Sequence, residues 1–421
     1  MADFPQARTI DDSVALLADG YTYVGKRCAE HNSDVFETRL MLQNVTCVQG
    51  EDAARMFYTP GRFTRKGAMP PTALLLLQDI GSVQMLDGAA HHQRKAMFLS
   101  VLDEDGVARL ANTVAEEWRA ALPRWAQMDK VVLHPQVRAI LTRAVCRWAG
   151  VPLHEEEVKP RANEFGEMID GAAAVGPRNW RAQWLRMGTE RWAKAWIDDI
   201  RSRKRDAPVG SAAYVIALHR DPEGELLSRG TAAVELINVL RPTVAVARFI
   251  TFAALALHEH PHLRARVAAA DDQYLEWFAQ EVRRFYPFFP VVGGKACVAF
   301  EWRGHAFKPG DWVLLDMYGT NHDPRIWAQP EVFDPERFRH WDGNPYTLVA
   351  QGGGDYAAGH RCPGEPATVE IVKTALRLLT QEMDYEVPKQ ALRLDLHKMP
   401  ALPPSKFILR HVQATPPQFA T

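Results

Sequence analysis

The sequence predicts a mainly α-helical single domain with a small β portion. Three observations predict it. Apolar residues recur at helical spacing through most of the chain beyond residue 88, strand-like runs are few and short, and no repeat or low-complexity linker divides the 421 residues. With 47% hydrophobic residues there is material for a large core, and 12 Trp, 10 Tyr and 18 Phe are far too many for a disordered chain. One domain over residues 1–421 is the expectation.

The first element is a strand-like run from Val35 to Val48, with Gln43-Asn44 as the turn between its halves. Helical periodicity then covers 89–101, 107–126, 135–149, 153–169 and 179–205. The run 226–257 is the longest helix, roughly 45 Å at 1.5 Å per residue. It is apolar on most sides (Leu236, Ile237, Leu240, Val244, Phe249), so it is expected to cross the core. Residues 259–285 form helix in two pieces, short strands follow at 296–300 and 312–316, a helix covers 364–383, and a last strand covers 406–411.

Composition excludes several functions. Fifty Lys and Arg against 51 Asp and Glu give a net charge of −1, with no electrostatic case for nucleic acid. The five cysteines are scattered and none has CxxC spacing, so neither a disulfide framework nor a zinc knuckle is indicated. The first 20 residues lack a basic and apolar leader, and Phe249 to Leu257 is too short for a bilayer. No membrane span and a cytoplasmic location are expected.

The informative segment is Gly352-Gly-Gly-Asp-Tyr-Ala-Ala-Gly-His-Arg-Cys362-Pro-Gly-Glu365. A glycine-rich loop delivers one Cys to the start of an apolar-periodic helix (Val369, Val372, Leu376, Leu379). Helix-end N–H groups, with Arg361 and His360, are expected to favour a thiolate there. A lone thiolate suits an axial iron ligand. The loop alone leaves an inert buried thiol open. It is no dinucleotide fingerprint, since Ala357 stands where the third Gly belongs, and zinc lacks further ligands.

Two distant motifs join it: Glu281-Val-Arg-Arg284 on a helix and Pro335-Glu-Arg337-Phe338 further on. In this order the three resemble the cytochrome P-450 superfamily of haem-thiolate enzymes, over residues 35–411. The resemblance implies haem b with Cys362 as the iron ligand, and Glu281, Arg284 and Arg337 as a buried structural triad. It also implies the single-domain cytochrome P-450 fold.

The departures from the superfamily pattern narrow the resemblance. Asp355 stands where a Phe is expected, Ala358 where a Gly is expected, and the usual Trp-xxx-Arg is His91-xxx-Lys95. His91, Lys95 and His360, with Arg94, are the candidates to hold the haem propionates. In the long helix the acid–alcohol pair that relays protons is replaced by Arg241-Pro242. A Pro inside a helix costs about 3 kcal/mol, and an Arg in an apolar run is expensive unless paired. Taken alone, the pair leaves a kink with an outward Arg open. With the Cys loop and Gln84-xx-Asp87-Gly88, it resembles the bacterial fatty-acid peroxygenase branch.

That resemblance implies hydrogen peroxide-dependent hydroxylation of fatty acids at the α and β carbons, with no redox partner. Arg241, with Pro242, is the catalytic position: its guanidinium holds the substrate carboxylate, which serves as the acid–base group. Gln84 and Phe288 are expected near the substrate, and Leu74–Leu77 with Ala172–Gly176 along its tail. Three alternatives stay open. One is oxidative decarboxylation to terminal alkenes, where relatives have His in place of Gln84. The others are a redox-partner-driven monooxygenase and a non-catalytic haem-thiolate sensor.

Overall fold

The computed structural model describes residues 4–7 and 10–415. Its β portion is one five-stranded sheet with two small satellites. Strands β1 (Val35–Leu40) and β2 (Gln43–Val48) pair antiparallel, from Val35 opposite Val48 to Leu40 opposite Gln43. Their turn is Met41-Leu42, with φ of 50° and 61°, and not Gln43-Asn44. Left-handed φ at both central residues matches the twist of a tight hairpin, and here two non-glycine residues accept it. The sheet order is β1-β2-β5-β4-β3, with β3 (Phe63–Thr64) at the edge, β4 (Val291–Ala296) and β5 (Trp312–Asp316).

The strand expected at 296–300 is displaced. Its residues fall between β4 and a short strand Phe300–Trp302. Gly293 and Gly294 lie inside β4, and glycine weakens the local strand signal. Phe63 pairs with Ala296 and Thr64 with Lys295, so the sheet edge sets where Arg65 emerges. The expected strand at 406–411 is Ile408–Ala414, between Val131–Val132 and Met383–Glu386.

Helices make up most of the remainder. Those that shape the site are α1 (Pro71–Leu77), α2 (Gly88–Val101), α3 (Pro177–Arg201), α4 (Arg229–Ala245), α5 (Ala247–Glu259), α6 (Asp272–Phe285) and α7 (Glu365–Gln381). Glu104–Trp125, Leu133–Trp148 and Glu155–Asp170 pack around them. The first of these starts three residues before its periodicity, because the Asp103 side chain accepts from the Gly106 N–H and caps it.

The long run 226–257 is two helices. α4 passes through Pro242 and breaks one turn later at Val246, whose N–H bonds to Thr243 O at 3.2 Å before α5 begins. Pro242 has no N–H to give Asn238 O, so the ladder is already open there. Arg229–Glu259 is long and apolar enough to cross a membrane, yet 83% of its most apolar window is buried inside the protein. Leu236, Ile237, Leu240, Val244, Phe249 and Ile250 are fully buried, which makes α4 and α5 the core helices.

Candidate active site

Around Cys362 the chain is shaped by backbone constraints. Gly352 and Gly354 hold φ of 94° and 77°. A Cβ on Gly353 would fall 2.6 Å from Pro345 O and 3.0 Å from the Tyr58 ring. The loop thus lies flat against Tyr58 only because these residues are glycine. Gln351 then anchors the cysteine: its carbonyl accepts the Cys362 N–H at 3.1 Å, and its Nε2 lies 3.8 Å from the sulfur. Arg283 donates to Gln351 Oε1 at 2.9 Å, which holds that amide in place.

The expected thiolate stabilisation by Arg361 and His360 is not what the structure has. Arg361 is turned onto Glu365, at 2.6 and 3.0 Å. Burial makes the His360 imidazole hard to protonate, pushing it to about 2, with Arg65 adding repulsion. Burial also raises the Cys362 thiol, against a lowering hydrogen bond from the Gly364 N–H. Cys362 as a residue is nevertheless part-exposed, whereas Cys28, Cys47 and Cys146 are buried in the core. A thiol in such a site becomes a thiolate when a metal takes it.

The three distant motifs come together. Arg284 donates to Glu281 at 2.7 and 2.8 Å, and Arg337 to the same carboxylate at 3.1 Å. Both members of the Glu281–Arg284 pair are fully buried. Arg284 also donates to Asn321 O and Pro330 O, each at 3.0 Å. α6 is thereby tied to the segments leading into the Cys loop.

On the other side of the loop, basic side chains gather: two histidines that burial keeps neutral and the ammonium of Lys95. His91 and His360 lie with ring centroids 4.1 Å apart, and Lys95 donates to Gly359 O and, at 2.8 Å, to Arg361 O. Asp87, exposed, lies 3.9 Å from His360 Nε2, and the carboxylates of Asp355 and Glu365 act on Lys95 from further off. Burial lowers His91 to about 4 and Lys95 to about 8. Arg65, unnoticed in the sequence, completes the cluster: it stacks 4.5 Å over Phe57 and donates to Gly293 O at 2.7 Å. Arg94 does not belong here. It pairs with Glu235 of α4 at 2.8 Å.

Arg241 is the other unmatched cation. Eight Lys and Arg residues are buried: Arg94, Lys95, Arg186, Arg241, Arg248, Arg283, Arg284 and Lys373. Six of them pair with a carboxylate. Arg241 and Lys95 do not, among the described residues. Arg241 Nη2 donates to Leu77 O and weakly to Asn238 Oδ1 at 3.4 Å, while its Nε has no partner. Burial lowers its pKa to about 9; Arg186 lowers it further, and the Cys362 sulfur, close enough to act on it, raises it. Pro242 follows it on the same helix and is part-exposed.

The surroundings of Arg241 are held by a polar line on one face of α4. Glu235 accepts from the Val83 N–H at 2.8 Å and from Asn238 Nδ2 at 3.1 Å, fixing the short turn Val83–Met85 against the helix. Gln84 in that turn has a buried Oε1 with no partner. Phe288 is part-buried and stacks on Phe249 of α5 at 4.4 Å. Leu76 is fully buried, and Gly171, next to the expected tail segment, approaches it: a Cβ there would lie 3.7 Å from Leu76 Cδ1. Glu235 and Gln351 were missed in the sequence; the spacing Glu235-xx-Asn238-xx-Arg241, one helix face, was the available signal for the first.

Comparisons with known proteins identify the family. The family model for cytochrome P-450 matches residues 269–411. Rhazimal synthase of Alstonia scholaris is 27% identical over 178 residues, and that stretch spans only 34% of its length. Solved structures match far more. A variant of cytochrome P-450SP alpha has a TM-score of 0.94 and 44% identity, covering 96% of this chain and 100% of that one. Cytochrome P-450EX alpha with myristic acid has a TM-score of 0.95 and 39% identity, covering 99% and 100%. A variant of cytochrome P-450 OleT in complex with arachidonic acid has a TM-score of 0.96 and 32% identity over the same shares. The chain belongs to the cytochrome P-450 family, whose members bind haem b through a cysteine thiolate. Within that family it lies in the fatty-acid peroxygenase branch, with P-450SP alpha, P-450EX alpha and OleT. Its residues fit the cofactor: one part-exposed cysteine on a glycine-flattened loop, beside hydrogen-bonding groups from Lys95, Arg65 and two neutral histidines.

Proposed function

We propose that the protein is a peroxide-driven fatty-acid hydroxylase acting at the α and β carbons. Cys362 would hold the haem iron, and His91, Lys95, His360 and Arg65 would face its propionates. When bound, haem supplies the oxidation of a substrate C–H bond at the expense of hydrogen peroxide. The rest is the work of this chain's own residues.

The observation that carries the reading is the unpaired, buried guanidinium of Arg241. A buried cation without a counter-ion calls for an anionic ligand, and guanidinium matches carboxylate in a bidentate fork. A fatty-acid carboxylate on Arg241 has its oxygens within the dry site, available as a base for one peroxide proton. Held there, the acid presents its first carbons toward Cys362, and the tail runs away along apolar surface. Gln84 Oε1 is a free acceptor beside this region, and Phe288 contributes apolar wall. Pro242 opens the helix at the place where other members carry an acid–alcohol pair, which argues against feeding by redox partners. A soluble, cytoplasmic enzyme without a reductase fits this reading.

Turnover tests it. Holoenzyme with myristic acid and hydrogen peroxide, and no reductase, should give 2- and 3-hydroxy acids by mass spectrometry; terminal alkene as the main product would favour decarboxylation. Arg241→Ala should lose acid binding and turnover together, by on the order of 100- to 1000-fold, since stranding one side of a buried ion pair costs about 3–5 kcal/mol. Styrene should be oxidised by the wild type only when a short carboxylic acid is added, and by the variant not at all. Wild-type efficiency in Arg241→Ala would overturn the role given to the arginine.

A further inference from the structure

Three side chains hold the C-terminal end of α1, one to each of three successive carbonyls. Arg186 of α3 donates to Leu76 O at 3.0 Å, Arg241 of α4 to Leu77 O, and Asn238 of α4 to Gln78 O at 3.3 Å. A helix leaves its last carbonyls without backbone partners, and its dipole favours cations at that end. Here one helix end serves two arginines, close enough for Arg186 to depress the pKa of Arg241. Like charges so placed repel, and the carbonyls they share offset part of that repulsion.

The two arginines are not equivalent. Arg186 also meets Asp79 at 2.9 Å and Glu190 at 3.0 Å, so its charge is already matched. Asp79 has φ of 78°, a left-handed conformation that Asp tolerates, and its other oxygen accepts the Ile80 N–H at 2.6 Å. The Arg186–Asp79 pair therefore fixes the chain where α1 ends. Arg241, by contrast, has Leu77 O and, at 3.4 Å, Asn238 Oδ1 on its Nη2, and no partner on its Nε. A planar fork pinned at one nitrogen has its other donors aimed. The pin is a backbone oxygen, so its place depends on whatever holds the turn.

We infer that Arg186 and Asp79 are a positioning pair, holding the end of α1 so that Leu77 O orients the Arg241 guanidinium for the substrate carboxylate. Neither residue has to touch the acid. The purpose rests on the fatty-acid reading, whereas the orientation of Arg241 by Leu77 does not.

Asp79 separates positioning from plain electrostatics. Asp79→Asn keeps the left-handed turn and removes a negative charge two residues from the Leu77 carbonyl, which by Coulomb attraction alone would tighten the binding of an anion. Positioning gives the opposite sign: affinity for myristic acid should fall about tenfold. Arg186→Gln should weaken binding likewise, and both variants should change the ratio of 2- to 3-hydroxy acid while keeping haem content. Titration of each holoenzyme with myristic acid reads the affinity. Crystal structures of the acid-free variants give a readout that needs no substrate, in which Leu77 O should no longer meet Arg241 Nη2. Binding that is unchanged or tighter in Asp79→Asn, beside a wild type that binds the acid, would overturn the inference. So would a guanidinium that stays in place in both structures. A wild type that does not bind the acid would overturn the fatty-acid reading instead, and the crystal structures would still decide what orients Arg241. If Arg186→Gln does not fold, Asp79→Asn decides alone.

Discussion

Asn238 joins Glu235 to Arg241: its amide nitrogen donates to the carboxylate at 3.1 Å and its oxygen accepts from the guanidinium at 3.4 Å. The carboxylate is already committed to Arg94 and to the Val83 N–H. Arg241 is therefore steadied without being neutralised. An acidic residue in direct contact would cancel the charge that the substrate needs.

Asn238→Asp tests that arrangement. The new carboxylate would lie against Arg241 and compete with the acid, so fatty-acid affinity should fall about tenfold or more. Asn238→Ala, which removes the contact without adding charge, should have a smaller effect. Substrate titration of both variants checks the difference.

The pH dependence follows from the direction of the Arg241 shift. Burial holds its pKa down at about 9, with Arg186 contributing, so the free site is charged at pH 7 and loses its proton as pH rises through that value. The charged form binds the acid. Affinity should be flat between about pH 6 and 8 and fall roughly tenfold per unit well above 9. A bound carboxylate favours the charged arginine, so kcat should persist to higher pH than kcat/KM. Binding titrations from pH 7 to 10.5 measure this.

Cys362→Ser should abolish the thiolate-type absorption of the reduced carbon monoxide complex. Gln351→Ala should leave that band but lower thermal stability, because the amide ties Arg283 and Thr368 to the loop at 2.9 and 3.0 Å. An unchanged band in Cys362→Ser would place the ligand elsewhere.

Gln84→His should shift the ratio of hydroxy acid to alkene. The side chain it replaces has a buried acceptor with no partner, so an imidazole there brings a new proton donor into the same space. Product ratios for several chain lengths give the answer, and ratios that do not move would remove Gln84 from the reacting end.

Short-range chemistry was legible in the sequence. Cys362, the Glu281–Arg284 pair and Arg241-Pro242 each announce themselves within a few residues, and the helices around them follow from periodicity. What was hidden depends on contacts across the chain. Lys95 reads as a free cation, yet its ammonium is spent on the carbonyls of Gly359 and Arg361. Arg94 reads the same way and is paired with Glu235, 141 positions on. Arg65 owes its place to a two-residue edge strand, too short to carry a pattern. The helix break at Val246 was also missed, since the apolar run is continuous and Pro242 acts one turn downstream.

Leaving Arg241 unmatched has a consequence for the life of the protein outside catalysis. A ligand that neutralises it binds only the folded state, so acid supply and folding are coupled: a hundredfold excess over Kd adds about 2.7 kcal/mol. Without acid the chain spends more time in open forms that proteases recognise. On the proposed role of Arg241, resistance of the enzyme to proteolysis is expected to rise with the supply of fatty acid.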